Sequence, residues 1–128
     1  MNFDRLKEHS ADNLGSGTDL GKIELLESTW GIKLPKQFRN YLLEVGYAEI
    51  YGDEIYSIYE VPDKIACLGL HWTNKNNEDL KSGYIQFFSN DIDGVFYIKA
   101  FSGKVFLNSI ESEYAESFEG FVNRLLDE

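Results

Sequence analysis

The chain has 128 residues, near the commonest size of one domain, with 43% apolar and 15% aromatic residues. That content supports one real core and argues against a disordered chain, which needs low hydrophobicity. Its 22 acids and 12 bases give a net charge of −10, which disfavours unspecific nucleic-acid binding because that needs basic surface.

The first residues, Met1 to Glu8, mix charges and do not read as a signal peptide. No apolar run approaches the roughly 18 residues of a membrane span, so a cytoplasmic protein is expected. Phe3 and Leu6 point to a short N-terminal helix. Asn13-Leu14-Gly15-Ser16-Gly17 reads as a flexible join to the main body. A helix then starts near Thr18 or Asp19, either of which could cap it. Ile23, Leu26 and Trp30 recur at helical spacing, and Gly31 fits the position just past the helix end. Ile32-Lys33-Leu34 is an extended link, and Pro35 suits the first position of the next helix. Phe38, Tyr41, Leu42 and Val45 form its buried stripe, ended by Gly46.

Ala48–Tyr51 and Ile55–Val61 read as strands flanking a Gly52-Asp53-Glu54 turn, with Pro62 stopping the second. Residues 63–81 have a partly helical pattern. Tyr84–Phe88 is rich in strand formers, and Asn90 to Gly94 is a turn. Val95–Phe101 and Lys104–Leu107 make a hairpin around Ser102-Gly103. A last helix begins near Ser117, burying Phe118, Phe121, Val122 and Leu125. Helices, strands, then a helix imply an α+β fold: a single, largely antiparallel or mixed sheet with packed helices.

The chemical motifs fail one by one. Gly21-Lys22 lacks the earlier glycine and the following hydroxyl of a phosphate loop, since Ser16 and Ile23 stand there. Asp91-x-Asp93-Gly94 resembles part of a calcium loop, but Ala100 stands where the bidentate glutamate belongs, so a polar turn is the simpler reading. His9, His71 and one cysteine cannot make a zinc site of the usual kind. Cys67 sits among apolar neighbours, as an inert buried thiol does. No Gly-x-Ser-x-Gly elbow occurs. No catalytic residue, metal or cofactor is therefore expected, and the chain reads as a protein-binding module.

The charge is uneven. Residues 1–39 are net zero and residues 64–104 are net +1, whereas 40–63 are net −6 and 105–128 are net −5. The first acidic segment also holds Tyr41, Tyr47, Tyr51, Tyr56 and Tyr59. Solubility and a strand preference of tyrosine would account for this. A negative patch with aromatic anchors for a basic protein partner accounts for it too. The candidate partner-binding residues are Glu49, Tyr51, Asp53, Glu54, Tyr56 and Glu60, with the tail around Glu111, Glu113 and Glu116 as the second choice. Alternation places Glu49 and Tyr51 on one strand face and Ile50 on the other.

Ile23-Glu24-x-x-Glu27-x-x-Trp30-Gly31-Ile32-x-Leu34-Pro35-x-x-Phe38-x-x-Tyr41-Leu42 resembles the opening of the SUKH superfamily. That group contains a fungal cell-wall-synthesis regulator and bacterial immunity proteins of polymorphic toxin systems. Gly94-Val95-Phe96-Tyr97 with Ser102-Gly103-Lys104-Val105-Phe106 resembles its strand–Gly–Lys–Val–strand hairpin. Ser117-Phe118-x-x-Phe121-x-x-x-Leu125 resembles its closing helix. The likeness covers about residues 18–126 of a single 1–128 domain and departs at Val45-Gly46-Tyr47 and across 63–83. Its matching residues (Trp30, Gly31, Leu34, Pro35, Phe38, Tyr41, Gly46, Gly103, Phe118 and Phe121) are stripes and turns, so they carry a fold and no site. The resemblance implies a cytoplasmic immunity protein that occludes a basic cognate toxin, often a nuclease. Its alternative is a non-catalytic regulatory or scaffold module of the same superfamily.

Overall fold

The structure is a computed structural model that describes residues 1–11, 14–58 and 69–128. Helix α1, Asp4–Ser10, buries Phe3 and Leu6 as its spacing requires. Helix α2, Leu20–Trp30, starts where the Asp19 side chain accepts from the Gly21 N–H at 2.9 Å. It ends at Gly31 in the left-handed region (φ 70°). Pro35 caps helix α3, Lys36–Glu44, from just outside, one position earlier than expected. The buried Glu27 carboxylate joins the two helices: it accepts from the Leu34 N–H at 2.8 Å and pairs with Arg39 at 3.4 Å.

Strands β1, Glu49–Ile50, and β2, Asp53–Glu54, form a separate two-stranded hairpin, so there are two sheets where one was expected. The four-stranded sheet is an antiparallel meander of β3, Tyr84–Asn90, β4, Gly94–Lys99, β5, Val105–Leu107, and β6, Glu113–Ala115. Helix α4, Leu70–Thr73, and a 3-10 helix, Glu78–Ser82, precede it, consistent with the partly helical pattern of that stretch. Helix α5, Phe118–Leu126, closes the chain, with the Ser117 hydroxyl accepting from the Gly120 N–H at 3.0 Å.

The core lies between one face of the meander and helices α3 and α5. Phe118 meets Phe38 at 5.5 Å and Tyr41 at 5.3 Å between ring centroids, while Phe121 meets Phe87, Phe88 and Phe96 at 4.8–5.5 Å. Trp30 is only partly buried, because it is the last residue of α2 and packs against the edge of this cluster. Residues 14–18 are not a loose link. The Gly15, Gly17 and Thr18 N–H groups donate to the carbonyls of Tyr47, Val45 and Leu42 at 2.7–3.1 Å. A Cβ on Gly17 would lie 2.2 Å from the Leu43 carbonyl oxygen, so this close approach demands glycine. Tyr59, Glu60 and Cys67 lie outside the described residues.

Candidate functional site

The register of β3 and β4 gives the sheet two ends. Asn90 faces Gly94 at one, and Tyr84 faces Lys99 at the other. The β1–β2 hairpin, the β3–β4 turn and the residues after α5 all gather at the first end.

The hairpin reverses over two residues, Tyr51 and Gly52, with Glu49 opposite Glu54 and Ile50 opposite Asp53. Both turn residues have positive φ (50° and 88°), the geometry that matches the twist of paired strands. The expected turn at 52–54 is therefore displaced, and Asp53 and Glu54 belong to β2. The positive φ also takes Tyr51 out of simple alternation with Glu49. Three contacts hold it there. Its N–H donates to His9 Nε2 at 3.0 Å, its ring meets the His9 ring edge-on at 4.6 Å, and its hydroxyl donates to the Leu126 carbonyl at 2.8 Å. That carbonyl is one of the four an α-helix end leaves without an internal partner. Tyr51 thus staples hairpin, α1 and α5 while staying 60% exposed.

Beside it, the Tyr47 hydroxyl donates to Glu49 Oε2 at 2.6 Å. Burial, then the Glu49 hydrogen bond and the Glu54 charge, raise the Tyr47 phenol well above its ordinary value and keep it a donor. Tyr56 does not join the hairpin face. Its N–H donates to the Phe87 carbonyl at 2.8 Å and its hydroxyl meets Ser89 Oγ at 2.7 Å, so it is stitched to β3.

The β3–β4 turn supplies what the sequence reading missed. Asn90 Oδ1 accepts from the Asp93 N–H at 2.6 Å, and Asn90 Nδ2 donates to Asp93 Oδ2 at 3.1 Å. Asn108, just after β5, braces the turn: its Oδ1 accepts from the Val95 N–H and its Nδ2 donates to the Asp93 carbonyl, both at 2.9 Å. The result projects Ile92, 92% exposed, between Asp91 and Asp93. Ile50 and Leu125 form the apolar floor of a shallow cavity of about 540 Å³, rimmed by Tyr51, Asp53, Asp91, Asp93 and Glu128. Burial first, then the charges of Asp91 and Glu49, push the Asp53 carboxyl up from its ordinary range, a sign that these carboxylates feel one another.

The second-choice tail divides. Glu113 is paired with Lys104 at 3.3 Å, whereas Glu111 lies on the β5–β6 turn, which the Phe96–Leu107 register places at the same acidic end. Segment averaging hid Asp91 and Asp93, because the lysines of 64–104 cancel them in a charge sum. Among the described residues, no group of three or more His, Cys, Asp or Glu is disposed to hold a metal ion, and no helix is long and apolar enough to cross a membrane.

The helix pair, the Gly-capped turns and the closing aromatic helix agree with a family model. The model is SUKH_6, described as SMI1-KNR4 cell-wall, and it matches residues 20–122. The chain belongs to this SUKH family. No curated protein matches it significantly. The match spans α2 to the first five residues of α5, so it takes in α3, the whole meander and the start of the closing helix. Membership of this family suggests protein–protein interaction, which makes the exposed acidic end the surface of interest.

Proposed function

We propose that this SUKH protein is a bacterial immunity protein that binds a basic cognate toxin domain, often a nuclease, and neutralises it by occlusion. The observation that carries this reading is the convergence at one end of the sheet. Hairpin β1–β2, the Asp91-Ile92-Asp93 turn and Glu128 present carboxylates around exposed Ile92 and Tyr51. An apolar and aromatic centre ringed by charge is how binding surfaces combine hold with orientation. A nuclease is basic where it meets phosphate, so a partner carrying −10 gains both steering and complementary potential. Of the hairpin residues, Tyr51 and Asp53 line this surface, whereas Glu49 and Glu54 act on Tyr47 beside it and Tyr56 is tied to β3. Inhibition then needs no chemistry from this chain, only coverage of the toxin's surface.

The test is to purify the toxin domain encoded in the adjacent reading frame and mix it with this chain. A one-to-one complex with loss of toxin activity is expected. A neighbouring frame without a secreted toxin, or a toxin that stays active with the chain in excess, would remove the immunity reading. The alternative, a non-catalytic regulatory or scaffold module of the same superfamily, would then stand.

A further inference from the structure

The opposite end of the sheet is built differently. A groove of about 910 Å³ lies there, between the α2 C-terminus with its following link and the 3-10 helix, the start of β3 and the β4–β5 turn. Three separate elements send lysines to it: Lys33 from the link, Lys81 from the 3-10 helix and Lys99 from the end of β4. None of the three has an ion-pair partner among the described residues, where Arg5, Arg39 and Lys104 hold theirs. Glu27 lines the groove, but its carboxylate is spent on the Leu34 N–H and Arg39. The Lys99 Nζ donates to the Tyr84 hydroxyl at 3.1 Å and lies 4.6 Å from that ring's centroid.

Two further groups narrow the occupant. Phe101, on the β4–β5 turn, lines the groove while 100% exposed, so its ring has no packing role in the fold. Glu24, exposed on α2, adds a carboxylate to the same lining. The Gly31, Gly83 and Ala100 N–H groups are already taken, donating to the Glu27, Leu80 and Gly83 carbonyls at 2.7–2.9 Å.

We infer that this groove binds a phosphate-bearing ligand with a planar aromatic ring, of the nucleotide class. The lysine ammoniums are the point charges that hold phosphate. Phe101 provides a face for the ring to stack on. Glu24 accepts from sugar hydroxyls. The volume falls within the roughly 300–1,000 Å³ of small-molecule clefts. The site stands apart from the acidic end and does not rest on the immunity reading.

The experiment is an amide-shift titration of the labelled full chain with ADP, and separately with pyrophosphate, up to about 5 mM, the scale of weak ligand binding. Saturable ADP shifts are expected at Gly31, Gly83, Ala100 and Phe101. Lys33→Gln with Lys81→Gln should weaken ADP at least about tenfold, one pair of lost charge contacts. Phe101→Ala should weaken ADP and leave pyrophosphate unchanged. All three positions are exposed, so the fold is retained. No saturable shift, or shifts indifferent to the lysine pair, would overturn the assignment. So would pyrophosphate binding as tightly as ADP. An acidic peptide shifting these amides where ADP does not would give the groove to a protein segment and overturn it equally.

Discussion

Gly94→Ala probes the brace behind the acidic end without touching a charge. Gly94 has φ 121°, and a Cβ there would lie 2.0 Å from Asn108 Oδ1 and 2.7 Å from its Cγ. A non-glycine residue held in this region costs on the order of 1–3 kcal/mol. The Asn108 side chain must also move, which breaks its bonds to the Val95 N–H and the Asp93 carbonyl. Each such bond contributes about 0.5–1.5 kcal/mol net, and the low end applies because Asn108 is exposed and water replaces the partner. The sum is about 2–4 kcal/mol. Urea unfolding at constant slope measures it. The backbone and side-chain parts separate in a double-mutant cycle: in an Asn108→Ala background, Gly94→Ala should cost about 1 kcal/mol less, because the clash is gone. A loss below about 0.5 kcal/mol, or an identical loss in both backgrounds, would refute the bracing role.

Three other outcomes follow from the same structure. Phe121 is 0% exposed amid five aromatic rings, so Phe121→Ala should cost roughly 3–5 kcal/mol in urea unfolding, whereas Phe101→Ala should stay within about 0.5. Glu27→Ala strands a buried Leu34 N–H and leaves Arg39 unpaired, and should cost about 2–4 kcal/mol by the same assay. The Asp53 carboxyl is raised in the folded state, so its ionised form opposes folding; Asp53→Asn should be neutral to stabilising at pH 7, and any gain should vanish as pH falls through the carboxylate range, where the native carboxyl is already neutral. Thermal midpoints at pH 7 and in the acid range check the sign.

Much of the fold was legible because it rests on short-range signals. The apolar stripes of α3 and α5, the left-handed Gly31 and Gly46, and the Asp19 and Ser117 caps are all read from neighbours in sequence. The hairpin shift was not legible. Tyr51 at φ 50° is an unfavourable turn residue in isolation, and it is held by His9 and Leu126, 42 and 75 residues away. Strand β6 is three residues long and lies in a stretch whose charges read as an acidic tail. The Gly15–Gly17 segment looked loose by composition, yet small residues also permit the close backbone approach that pins it to α3. At the acidic end, the hairpin carboxylates were identified from charge segregation alone. Asp91, Ile92 and Glu128 join them only through the antiparallel register of β3 with β4 and the return of α5, which are facts of tertiary structure.

The central claim is that the acidic end meets a basic toxin, and stopped-flow association kinetics with that toxin domain at two salt concentrations test it most directly. Asp53→Lys with Asp91→Lys should lower the association rate by about tenfold or more at low salt and flatten its salt dependence, while Ile92→Ala should chiefly speed dissociation. An association rate and salt slope unchanged by the charge reversals would contradict the account and remove this end of the molecule as the interface.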